Sequence, residues 1–138
     1  MSNKKILIVD DNPYVRRGMC VRLTANRYET FFAGDAVAAI AEARKHQPDL
    51  IILDLALPAG DGFVVIQWLK AIPALDLIPI IVVSARDARE NGPRVLKAGA
   101  QAYLQKPVND SEFLAVIRRA LGEPALRNKS VVYELGMA

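Results

Sequence analysis

The chain is almost without cysteine: Cys20 stands alone among 138 residues. A single cysteine excludes an intramolecular disulfide and fits a reducing compartment, and its place on a predicted helix reads as inert packing. Histidine is equally scarce. His46 falls at the end of a helical pattern, where solvation or the helix dipole suits it better than ligand duty. No uninterrupted apolar segment approaches membrane-spanning length. Lys4-Lys5 with Ile6 to Val9 opens like a signal peptide, but Asp10-Asp11 cuts the apolar run too early. The formal charge is only +3, and no basic run is interleaved with aromatics, so no direct nucleic-acid contact is expected. Internal repeats and low-complexity segments are absent as well. These absences point to a soluble, cytoplasmic protein that does not engage a membrane. What remains is an ordinary apolar fraction, 52%, in a chain long enough for one domain with a real core.

The most informative stretch runs from Pro48 to Gly62. Leu50 to Leu53 is apolar without alternation, as in a strand covered on both faces of a parallel sheet. It ends on Asp54. A lone buried carboxylate is costly, so Asp54 is expected at the strand's C-terminal lip, where ligands bind in open α/β sheets. Pro58 and Gly60-Asp61-Gly62 then turn the chain.

The same grammar recurs along the chain. Lys5 to Val9 predicts a first strand ending in Asp10-Asp11, and Pro13 opens a helix to about Thr24, with Val15, Met19 and Leu23 on its buried face. Tyr28 to Ala33 predicts the second strand, and Gly34-Asp35 caps a helix from Ala36 to Lys45. Phe63 to Ala71 predicts a third helix with Trp68 as packing, stopped by Pro73. Ile80 to Val83 is the fourth strand, ending on Ser84, and Ala102 to Gln105 the fifth, followed by Lys106-Pro107. Ser111 to Leu121 is the last helix. Between Ser84 and Ala98 two signals conflict. Asp87 to Glu90 has capping-box spacing, yet Pro93 would lie inside the resulting helix at a cost of ~3 kcal/mol. The expectation is a break near Asn91-Gly92 and a helix only from about Pro93 to Ala98.

Strands alternating with helices in this way predict an α/β, flavodoxin-like three-layer sandwich, with five parallel strands in the order 2-1-3-4-5 and five helices. That order makes the first and third strands neighbours, so Asp10, Asp11 and Asp54 converge. Mutually repelling carboxylates favour a divalent cation, and an oxygen-only, hydrated set favours Mg²⁺ over Zn²⁺. Ser84 and Lys106 end adjoining strands. A carboxylate, a cation, an ammonium and a hydroxyl around one cleft are the parts that hold a phosphoryl group. Lys106, read as a charge at the lip, is expected to contribute within ~1 kcal/mol to stability.

Taken together, Asp10-Asp11, Asp54 with Leu57-Pro58 and Asp61-Gly62, Ser84-Ala85, Ala98-Gly99-Ala100, Tyr103 and Lys106-Pro107 resemble the receiver domain of two-component response regulators. The likeness spans Lys4 to about Gly122, with residues 1–122 as the domain and 123–138 as a tail. It implies that Asp54 accepts a phosphoryl group from a histidine kinase or phosphotransfer protein with Mg²⁺. It further implies that Asp11, Asp54 and the Ala56 carbonyl ligate the metal, with Asp10 acting mainly through water. Lys106 would pair with the phosphate across a cis Lys106–Pro107 bond, Ser84 and Tyr103 would switch, and a downstream protein would read the change. Ala56 and Arg86 stand where the family tunes acyl-phosphate lifetime. The fifth strand lacks the paired acids of a dimerising DNA-binding subfamily, so a monomer or a phosphorylation-dependent dimer is expected. The tail is too short for an output domain, which favours a stand-alone switch. The alternatives are part of a longer DNA-binding regulator or hybrid kinase. A flavodoxin-like module or an aspartyl phosphohydrolase fits less well, because Ala56 occupies the place of the hydrolase's acid/base aspartate. Val131-Val132-Tyr133 in the tail is expected to dock on the domain or on another chain.

Overall fold

The computed structural model describes residues 3–58 and 62–124. The elements alternate as β1 (Lys5–Val9), α1 (Pro13–Ala25), β2 (Glu29–Ala33), α2 (Ala36–His46), β3 (Leu50–Leu53), α3 (Gly62–Ala71), β4 (Ile80–Ser84), α4 (Ala88–Ala98), β5 (Ala102–Gln105) and α5 (Asp110–Ala120). The strands form one parallel sheet in the order β2-β1-β3-β4-β5, as the pattern of runs predicts. Asp61 and Val131-Val132-Tyr133 lie outside the described residues.

The unalternating runs are explained by burial on both faces. Every residue of β3 and β4 is buried, and alternate side chains enter opposite cores. Leu7, Ile51, Leu53 and Val82 pack with Ala36, Ala39 and Ala43 of α2 and with Val65, Ile66 and Leu69 of α3. Ile6, Ile8, Ile52 and Ile81 pack with Met19 and Leu23 of α1 and Phe113 and Ile117 of α5. Alanines on the inner face of α2 let that helix lie close to the sheet. β1 and β3 run side by side from Ile6↔Leu50 to Val9↔Leu53. The residues that follow them, Asp10 and Asp54, therefore emerge together at the C-terminal edge.

Two expectations fail. Trp68 is not core packing but 42% exposed. Val65, Ile66 and Leu69 take the inward stripe of α3, and Trp68 falls at its margin, beside Val37, Ile40 and Arg44 of α2. The second failure is the break near Asn91-Gly92, because α4 runs through Pro93 without one. Asp87 caps it: its side chain accepts from Arg89 N at 2.9 Å, and its carbonyl accepts from Asn91 N at 3.0 Å. Asn91, Gly92 and Val95 are buried on the inner face. The carbonyl that Pro93 leaves without a donor belongs to Arg89, and both residues are exposed, so water can serve it. Tertiary packing thus outweighs the proline.

At the opposite end of the sheet, Glu123 gathers three partners. Tyr28 hydroxyl donates to it at 2.6 Å, Lys4 Nζ lies 3.4 Å away and Arg118 3.7 Å away. Burial, the hydrogen bond to Glu123 and that residue's charge push the Tyr28 phenol up to about 12, with Arg118 opposing.

Pro93→Ala restores a helical N–H at an exposed position and should raise unfolding stability by about 1 kcal/mol, read as a higher urea midpoint. A lower midpoint would contradict a helix that passes through residue 93. The neutral Tyr28 phenol stabilises the fold fully below the ordinary tyrosine value of 10.0, and that contribution is lost as pH rises toward about 12. Wild type should therefore lose stability relative to Tyr28→Phe only across that interval, measured by urea unfolding on both sides of it.

Candidate functional site

The C-terminal sheet edge collects the charged residues that end β1 and β3, and Lys106, just past β5. Asp10, Asp11 and Asp54 each present an oxygen within 4.8 Å of the others. Asp11 is exposed, whereas Asp10 and Asp54 are buried, deeper than a lip position suggests. Backbone amides hold both. Asp10 Oδ1 accepts from Asn12 N at 2.9 Å, and Asp54 Oδ1 accepts from Ala56 N at 3.1 Å. Their other oxygens share one ammonium: Lys106 Nζ lies 3.0 Å from Asp10 Oδ2 and 3.2 Å from Asp54 Oδ2. Burial works against the Lys106 charge. The hydrogen bond to Asp10 and the charges of Asp54 and Asp10 outweigh it and hold the lysine pKa above its ordinary value. The Lys106–Pro107 bond is cis, as expected.

Ser84 is fully buried at the end of β4, and its Oγ accepts from Arg86 N at 3.3 Å. The Tyr103 hydroxyl donates to the Arg86 carbonyl at 2.6 Å and also lies within hydrogen-bonding reach of the Ser84 side chain. Burial raises the phenol pKa, so it remains a donor at neutral pH. Ala56 is exposed on the loop beyond β3. The sequence expectations are thus brought into one cleft for Asp10, Asp11, Asp54 and Lys106. Ser84 and Tyr103 lie beside it, in contact with each other and each bonded to the Arg86 backbone.

Several positioning groups went unread in the sequence. Asn12 caps α1, its Oδ1 accepting from Tyr14 N and Val15 N, and this fixes the turn that carries Asp10 and Asp11. The Asn-Pro pair was the available signal. Gly62 packs its backbone onto the loop after β3: a Cβ there would lie 2.6 Å from Leu55 Cα and 2.7 Å from the Asp54 carbonyl oxygen. Gln105 accepts from Ala88 N at 2.8 Å, a tertiary contact that no local pattern announces. His46 stacks on Phe31 at 3.7 Å between centroids, far from the cleft and in keeping with a structural role.

The five-stranded doubly wound sheet thus carries an acidic cleft with a lysine across it. The model of the response regulator receiver domain matches residues 6–118, and the chain belongs to that family. It is 34% identical over 120 residues to the polar-differentiation response regulator DivK of Brucella anthropi, covering 87% of this chain and 98% of that one. It is similar in structure to a CheY-like receiver domain protein of Methanospirillum hungatei, with TM-score 0.81, 30% identity and coverage of 88% and 95%. The receiver domain of the sensor histidine kinase PA1611 of Pseudomonas aeruginosa, with a magnesium ion coordinated in its active-site cleft, matches with TM-score 0.80, 27% identity and coverage of 88% and 100%. No helix of the described residues is long and apolar enough to cross a membrane.

The burial of Asp10 and Asp54 revises the weight of Lys106. Removing the ammonium leaves two adjacent buried carboxylates unpaired, so Lys106→Ala should lose about 3 kcal/mol at neutral pH without divalent cations. A cation bound among the three acids would restore much of that loss. Urea unfolding of wild type and variant, with and without MgCl₂, checks both; a variant as stable as wild type in chelator returns Lys106 to the standing of a surface charge.

Proposed function

We propose that Asp54 accepts a phosphoryl group from the phosphohistidine of a histidine kinase or phosphotransfer protein, and that the resulting change is read by a downstream protein. The observation that carries this reading is the Lys106 ammonium lying between Asp10 and Asp54 in a cleft of three converging carboxylates. An Asp54 oxygen attacks phosphorus, the P–N bond to the donor imidazole breaks, and Asp54 becomes an acyl phosphate. Mg²⁺, which the donor set of oxygens fits, would be held by Asp11, Asp54 and the Ala56 carbonyl, with Asp10 acting through water, and would neutralise charge on the equatorial oxygens. Lys106 is released from the bare carboxylate as negative charge moves outward, and pairs with the phosphoryl oxygens. Small Ala85 leaves room for the donor or for an attacking water. Ser84 then turns its hydroxyl from Arg86 toward the phosphoryl group, and Tyr103 follows inward.

A groove of about 350 Å³ between α1 and the β5–α5 connection, lined by Tyr14, Met19, Arg22, Pro107 and Phe113, reaches Lys106 and supports approach of a protein donor from that side. Coverage of 98% of the DivK relative supports the reading as a stand-alone switch. The likeness to a sensor kinase's receiver favours the alternative, a receiver within a longer protein. In either case residues 1–122 act as a signalling domain rather than an enzyme, with self-phosphorylation and self-dephosphorylation as its only chemistry.

Incubation with a small acyl-phosphate donor and Mg²⁺ should add a single phosphate, seen by intact-protein mass spectrometry. Asp54→Asn should stay unmodified, and chelation should stop the reaction in wild type. Equal labelling of Asp54→Asn would move the site elsewhere.

A further inference from the structure

The loop between β4 and α4 is tied to β5 by two side chains from one strand. Tyr103 hydroxyl holds the Arg86 carbonyl at 2.6 Å, and Gln105 Oε1 accepts from Ala88 N at 2.8 Å. Residues two apart on a strand share a face, so both ties come from the side of β5 that looks toward α4. On the other side of the loop, Arg86 N reaches Ser84 Oγ at 3.3 Å, the longest of the three.

Ala88 is the first residue of α4, and its N–H has no partner within the helix. The Asp87 carboxylate caps the next amide, that of Arg89. Gln105 therefore completes the cap from a different element. The same residue sits opposite Ser84 in the sheet register, and its neighbour Lys106 donates its backbone N–H to the Ser84 carbonyl at 2.8 Å. One side chain thus links the strand end that presents the lysine to the first turn of α4.

We propose that Gln105 is a latch: its side-chain carbonyl holds the first turn of α4 in the resting position and opposes the loop movement that brings Ser84 to phosphorylated Asp54. This rests on the phosphoacceptor reading above. When Ser84 turns away, Arg86 N loses an acceptor and the loop shifts against the Gln105 bond. One neutral hydrogen bond changes a two-state population by about fivefold. That is enough to set how often the unphosphorylated chain visits the switched arrangement, and little enough for a bound phosphoryl group to overcome. Glutamate at 105 keeps the acceptor and adds a charge at the positive end of α4. Methionine keeps the length and removes the acceptor.

The full chain carrying Gln105→Met or Gln105→Glu tests this through Ala88 amide exchange, labelling rate with a small acyl-phosphate donor, and Mg²⁺ affinity. Gln105→Met should exchange Ala88 and take up phosphate about fivefold faster than wild type, with Mg²⁺ affinity unchanged. Gln105→Glu should match wild type or be slower in both. Wild-type exchange in Gln105→Met overturns the latch. So does faster exchange without faster labelling, or a changed Mg²⁺ affinity, which would place the effect on Lys106 and Asp54. A wild-type chain that takes up no phosphate overturns the phosphoacceptor reading instead, and Ala88 exchange distinguishes the two failures.

Discussion

The arrangement of this molecule turns on one ammonium shared by two buried carboxylates. Parallel pairing of β1 with β3 brings Asp10 and Asp54 to the same edge, and burial makes their mutual repulsion severe. Lys106 relieves it from across β4. The cleft is thus held by an electrostatic balance that any arriving cation or phosphoryl group must alter. A site built this way is responsive because its resting state is already a compromise between like charges.

Much of this was legible in the sequence, and for a simple reason. Strands covered on both faces must be apolar throughout, so Leu50–Leu53 and Ile80–Val83 announce themselves, and the polar residue that ends each run announces the sheet edge. Topology then does the rest, since parallel strands place all such residues together. The depth of Asp54 was not legible. One of its oxygens meets Lys106, 52 residues further along the chain, a pairing that no local pattern announces.

The failures share a physical origin. Pro93 was read from its local backbone cost, yet the burial of Asn91, Gly92 and Val95 decides whether the helix continues. Trp68 was read from its apolar bulk, yet its angular position on α3 decides where it points. In both cases tertiary packing overrode a residue-level preference. Gln105 marks the other limit, because a glutamine at a strand end carries no local sign of the amide it will meet.

The Glu123 cluster has a consequence of another kind. Its ion pair with Lys4 joins the segment after α5 to the segment before β1, and its bond to Tyr28 adds the residue just before β2, all at the sheet edge opposite the cleft. β1 separates that edge from Asp10 by about 20 Å at a strand's rise per residue. The two ends of the described fold therefore lie side by side, on the side of the sheet turned away from the acidic cleft.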